Sequence, residues 1–200
     1  GYNAGVSVTT GIQNTIIGGL AGDALTDADY NVAVGTNALG SDTLGSMSVA
    51  IGNGALTTQN FTTATNSYNI GIGQGAGSSI TTATENTIIG GLTGDSLTTG
   101  SSNLAVGYKA LSASNTAAGN VALGANAMLV DTKGARNVAV GYGTLMSQNL
   151  CWRFSRRCHY GCRLQRSTGI WCCWGRYARK QNNCNRYFYF RSAKLYHSGR

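Results

Sequence analysis

A five-residue motif, Asn-x-(Ala/Ile/Gly)-(Val/Ile/Leu)-Gly, returns along this chain with copies beginning at Asn14, Asn31, Ser48, Asn69, Asn86, Asn103, Asn120 and Asn137, Ser48 standing in for the asparagine once. Every step between copies is 17 residues except Ser48 to Asn69, which is 21. A fixed short period restricts a chain to architectures in which each repeat stacks on the next and on little else. The fifth position is glycine in all eight copies: Gly18, Gly35, Gly52, Gly73, Gly90, Gly107, Gly124 and Gly141. Gly1-Tyr2-Asn3-Ala4-Gly5 reads as positions five to nine of a further copy.

Position two is Thr, Val, Ile or Leu, position three Ala, Ile or Gly, and position four always Ile, Val or Leu. A short apolar run bounded by Asn and Gly is a strand signal. Alternation puts positions two and four on one face and position three on the other. Both faces are apolar, as in parallel strands covered on each side. Seventeen residues are too few for a strand, a crossover helix and a second strand. The expected fold class is therefore all-β: a parallel β-solenoid, or β-roll, of 17-residue coils, each strand pairing with its equivalent one coil on. With strands ~4.8 Å apart, eight coils make a rod roughly 38 Å long.

Within each coil, position four (Val34, Ile51, Ile72, Ile89, Val106, Leu123, Val140) is expected to stack inward as the core column. Val106→Asp should then break the rod locally, and a change at Asn115 in the polar turn should cost little. The small residues at position three (Ala33, Ala50, Ala105, Ala122, Ala139) leave room for a close neighbour such as another subunit. The glycine column reads as a coil corner that needs positive φ or no Cβ. A phosphate-cradling loop would occur once, ahead of a helix. The asparagine column reads as a stacked side-chain ladder, with a glycan-binding role as its alternative.

Composition divides the chain in two. Residues 1–150 hold all seven acids against Lys109, Lys133 and Arg136, a net charge of 3 − 7 = −4. Residues 151–200 hold the other twelve bases, no acid, and all the Cys, His and Trp. The overall +8 is thus a property of the tail alone, and the expected domains are a repeat region, 1–150, and a Cys/Arg-rich tail, 151–200. Proline is absent, where average usage would give about ten, in keeping with a backbone that donates nearly every N–H to a ladder. No run of eighteen apolar residues spans a membrane, and no basic-then-apolar leader opens the chain.

The strings Asn103-Leu104-Ala105-Val106-Gly107-Tyr108-Lys109-Ala110-Leu111 and Asn137-Val138-Ala139-Val140-Gly141-Tyr142-Gly143-Thr144-Leu145 resemble the YadA-like head repeats of trimeric autotransporter adhesins and the similar repeats of phage tail fibres. The resemblance covers residues 1 to about 150. It implies a left-handed parallel β-roll, a homotrimer, and a virion or bacterial-surface fibre that attaches to a host through a cell-surface glycan or protein receptor. The 17-residue unit is longer than that of the adhesin heads, which favours a phage tail fibre over a bacterial adhesin head. No membrane insertion and no nucleic acid are implied.

No catalytic, cofactor or metal site is expected. The repeats lack His and Cys, and their acids are scattered through turns. Copies Asn14 and Asn86 both continue through Gly-Asp pairs, Gly22-Asp23 and Gly94-Asp95, but without the nine-residue period of a calcium-binding roll. They read as solvated turns. Ice binding is the rival from another class, on account of Thr62-Thr63, Thr81-Thr82 and Thr98-Thr99. It would need a threonine at one position of every coil, whereas the threonines drift between copies.

After Leu150 the period stops, although another motif is due at Phe154. A zinc module would need Cys-x2-Cys pairs, which Cys151, Cys158, Cys162, Cys172, Cys173 and Cys184 do not form. A nucleic-acid tail would show a recognisable motif. Shifted by one nucleotide, His159 to Ser167 can encode Thr-Ala-Val-Gly-Tyr-Asn-Ala-Leu, the repeat itself, and Asn182 to Tyr189 in the same frame can encode Thr-Ile-Ala-Ile-Gly-Thr-Ser. The tail therefore reads as out-of-frame or disordered, with a cysteine module and a basic tail as alternatives.

Overall fold

The computed structural model describes residues 1–113, 115–130 and 134–146, and the backbone of 163–164 and 171–172. By contacts the chain divides into Gly1–Leu150 and Cys151–Arg200. In the first unit, eight three-residue strands form one parallel sheet: β1 (Thr15–Ile17), β2 (Val32–Val34), β4 (Val49–Ile51), β6 (Ile70–Ile72), β7 (Thr87–Ile89), β8 (Leu104–Val106), β9 (Val121–Leu123) and β10 (Val138–Val140). Each pairs with its equivalent in the next copy, as in Leu104↔Val121, Ala105↔Ala122 and Val106↔Leu123. Two-residue strands β3 (Gly45–Ser46) and β5 (Thr65–Asn66) pair in parallel beside the long coil. In the second unit, β11 (Arg163–Leu164) and β12 (Trp171–Cys172) pair antiparallel. The fold is the expected parallel β-solenoid, and the other expectations for the tail lie outside the described residues.

Backbone geometry explains the period. Among the described residues, every positive φ falls in one of four columns: the glycine column, position seven, position nine, and the residue before position one of each motif. The last three columns run from φ 49° to φ 69° and include Tyr30, Lys109, Leu111 and Arg136. None of their members in the eight coils is Val, Ile or Thr, whose branched Cβ tolerates this region poorly. The glycine column has φ 120–134°, and a Cβ on Gly107 would lie 2.6 Å from the carbonyl carbon of Gly124. Gly1 already sits in this stack, because a Cβ on it would lie 2.3 Å from the carbonyl carbon of Gly18. Leu20 N donates to Tyr2 O at 2.8 Å, so Gly1–Gly5 belong to a coil, as the repeat register requires.

The inward face of the strands differs from the sequence expectation. Position three is the core column: Ala33, Ala50, Ile88, Ala105 and Ala122 are fully buried. Positions two and four point outward, with Val34, Ile72, Ile89, Val106 and Leu123 half-buried and Ile51 and Val140 exposed. Asparagine at position one decides this. Asn31, Asn69, Asn86 and Asn120 are fully buried, and with position one inward, alternation sends two and four out. The close neighbour that small position-three residues admit is the opposite wall of the same chain. A Cβ on Gly71 would lie 2.7 Å from Leu56 Cγ.

That interior is filled in two ways. Coils from Asn31, Ser48, Asn103 and Asn120 bury Leu39, Leu56, Leu111 and Met128 at position nine. Coils from Asn14, Asn69 and Asn86 have Gly22, Gly77 and Gly94 there and bury Leu25, Ile80 and Leu97 three residues later. The two sites share one volume: a Cβ on Gly22 would lie 2.8 Å from Leu25 Cδ1, and one on Gly77 2.9 Å from Ile80 Cδ1. The Asn14 and Asn86 copies share this exchange with the Asn69 copy, so it does not by itself explain their Gly-Asp pairs.

Two comparisons test the register. Ala105→Asp should cost several kcal/mol by burying an unpartnered carboxylate and abolish amide protection in neighbouring coils, whereas Val106→Asp should leave that protection within a factor of a few. Gly107→Ala should cost about 1–3 kcal/mol or more through strain and the approach to Gly124. Gly91→Ala, whose Cβ would meet only the Tyr108 ring at 3.6 Å, should melt near the parent temperature.

Candidate interaction face

Because positions two and four face outward, fourteen of sixteen side chains on the outer sheet face are Val, Ile or Leu, Thr15 and Thr87 being the others. Three residues at ~3.3 Å and eight rungs at ~4.8 Å make this strip roughly 400 Å², the size of the largest apolar patch on an ordinary monomer, which is often functional. Interior rungs are shielded by their neighbours above and below. At the ends, Ile17 is 58% exposed and Val138 70%. Tyrosines stand along both margins: Tyr30 and Tyr68 precede position one, and Tyr2, Tyr108 and Tyr142 occupy position six, all exposed. Lys109 Nζ lies 5.4 Å from the Tyr108 ring centroid. The face has an apolar centre and an amphipathic rim, and it carries no charged side chain at positions two or four.

The asparagine column is the ladder the sequence suggested, but Asn31, Asn69, Asn86, Asn103 and Asn120 are buried and the end members Asn14 and Asn137 half-buried. Its side chains are occupied inside the coil, with Asn103 Oδ1 accepting from Asn120 N at 2.9 Å and Asn103 Nδ2 donating to Ala117 O at 2.9 Å. They are not presented to a glycan. The threonines drift less than the sequence suggested: Thr9, Thr26, Thr43, Thr81 and Thr98 share one column. Their hydroxyls are committed to the next coil, with Thr26 Oγ1 donating to Thr43 O (3.0 Å) and Thr98 Oγ1 to Asn115 O (2.7 Å).

Among the described residues no three His, Cys, Asp or Glu side chains come together to hold a metal ion. Asp95 Oδ1 is buried without a hydrogen-bond partner. Burial raises the Asp95 carboxyl above its ordinary range, against the Ser112 hydroxyl and the charge of Lys109, which lower it. Ser112 Oγ donates to Leu92 O at 3.0 Å, which spends its single proton. Because the folded pKa is raised, ionisation of Asp95 weighs against the fold, and the penalty grows as pH rises through the unfolded and then the folded value. Asp95→Asn should therefore stabilise the chain at pH 7 and lose that advantage near pH 3, measured as the difference in melting temperature from the parent. A difference that does not change with pH would place the carboxyl in water, and the reverse trend would mean that its charged form is stabilised in the fold.

Comparison with known proteins finds no matching family model, no matching curated protein and no matching solved structure.

Proposed function

We propose that residues 1–150 are a structural and adhesive segment of a phage tail fibre, working as a homotrimer in host-surface attachment. The outward apolar face carries this reading. Parallel sheets are normally covered on both faces, and here the inner face is covered by the chain's own coils while the outer one is left apolar along the rod. Three identical strips closing around an axis would cover one another, as closed homo-oligomers do, with the marginal tyrosines at the rim where one end is dry and the other wet. The resemblance of the repeat to head and tail-fibre repeats supports the same assignment. A bacterial surface adhesin head is the alternative within that family. The committed threonine hydroxyls weigh against ice binding.

Association is the first test. The repeat region, expressed in frame with its natural flanks, should sediment at three times the chain mass at micromolar concentration. Val34→Asp with Val106→Asp should return it to one chain mass while each coil keeps its hydrogen exchange protection. A parent that is already monomeric would remove the basis of the proposal. For attachment, the purified trimer should compete with the parent virion for host cells; competition by bacterial cells displaying it, and none by a virion, would favour the adhesin.

A further inference from the structure

At every regular step, the asparagine Oδ1 of one coil accepts the backbone N–H that opens the next motif: Asn14 to Asn31 (2.9 Å), Asn31 to Ser48 (2.8 Å), Asn69 to Asn86 and Asn86 to Asn103 (3.0 Å each), Asn103 to Asn120 and Asn120 to Asn137 (2.9 Å each). The step from Ser48 to Asn69 is the exception. Ser48 has no side-chain amide, and its coil carries four extra residues. Three of these, Thr62, Thr63 and Ala64, leave the coil as an exposed loop between Phe61, whose carbonyl accepts from Leu44 N (3.1 Å), and Thr65, which pairs with Gly45. The fourth is taken up at Ser67. Its N–H takes the Ser46 carbonyl (2.9 Å), as Met47 N takes that of Asp29 one coil earlier (3.0 Å).

Between them, Gln59 and Ser67 bridge the gap, Gln59 through side chains and Ser67 by accepting the Asn69 N–H. Gln59 is fully buried, and its Nε2 donates to Asp42 Oδ2 in the preceding coil (2.6 Å) and to Ser48 Oγ (2.7 Å). Its Oε1 accepts from Asn69 Nδ2 in the following coil (2.9 Å). Ser48 Oγ lies 2.6 Å from Ser67 Oγ, which accepts from Asn69 N at 3.3 Å. Asp42 Oδ1 accepts from Gly45 N (3.1 Å) and Phe61 N (2.9 Å), holding one base of the excursion, Phe61, and the residue of the preceding coil with which the other base, Thr65, pairs. Asp42, Ser48, Ser67 and Asn69 are all fully buried, and a group left unmatched there bears its whole desolvation cost.

We propose that Gln59, braced by Asp42, is a register splice: with the Asn69 N–H passed to Ser67 Oγ, Gln59 supplies the side-chain tie between coils that the missing asparagine would have made, and lets the rod admit a surface insertion without slipping or parting. The splice spans three coils, so its loss divides the solenoid into the coils before and after the loop. Nearest-neighbour coupling, which makes a solenoid one unit, then fails at that step alone.

Hydrogen exchange on the full chain tests this with Gln59→Ser. Amide protection in Val49–Ile51 and Ile70–Ile72 should fall about tenfold or more, by the cost of the stranded groups, while Val121–Leu123 is unchanged. A second background removes the need for the splice. Thr62, Thr63, Ala64 and Ser67 are deleted, Ser48→Asn restores the amide, and Asp42→Ser supplies the residue found at this coil position as Ser114. There Gln59→Ser should change protection less than twofold. Equal losses in both backgrounds, or none in the first, would overturn the proposal. Aggregation of the Gln59→Ser chain in the first background alone would support it, and aggregation in both would overturn it.

Discussion

Burial of an asparagine at position one is the constraint on which the other features of the rod depend. An amide inside a narrow apolar coil is unfavourable unless both its ends are matched. Here they are matched by the fold's own period, because Oδ1 takes the N–H 17 residues on, and Nδ2 takes the carbonyl 14 residues on in five of the coils. Those two bonds tie each coil to the next and close it across its interior. Once position one points inward, the inward set is one and three and the outward set is two and four. The small core column and the apolar outer face follow from that alternation.

Corners impose the second constraint. A coil this tight turns through four positive-φ positions, and only the glycine column reaches the region near φ 130° that a side chain cannot enter. The other three accept Leu, Asn, Lys, Tyr or Arg in the left-handed region at modest cost. Valine, isoleucine and threonine, abundant elsewhere in the repeat, are kept out of those three columns. Leucine at position nine is thus placed by two demands at once: it must be large enough to fill the interior and unbranched at Cβ to take φ near 54°. Where glycine replaces it, Leu25, Ile80 or Leu97 fills the same space from a different part of the coil.

Much of this was legible in advance. The period, the strand positions, the parallel pairing one coil on and the need for glycine at position five all follow from recurrence, because identical sequence at a fixed step has identical partners. The same recurrence made the asparagine ladder visible. The direction of the strand faces was not legible from hydrophobicity, since Val106 and its column are more apolar than Ala105 and its column. Average burial tendencies favour the larger residue inside. The polar residue two positions before Ala105 overrode them, because Asn103 finds its partners only in the interior.

Recurrence along the chain therefore determined which residues are equivalent and that they stack, since both are properties of order in one dimension. Which face turns inward, which residues share a volume and how the long coil is spliced were decided only in three dimensions. Leu56 and Gly71 are 15 residues apart and meet across the coil interior. Gln59 reaches Asp42, Ser48 and Asn69 in three successive coils at once. No spacing rule anticipates such contacts, because they depend on the finite width of the coil, and that width is set by how side chains pack.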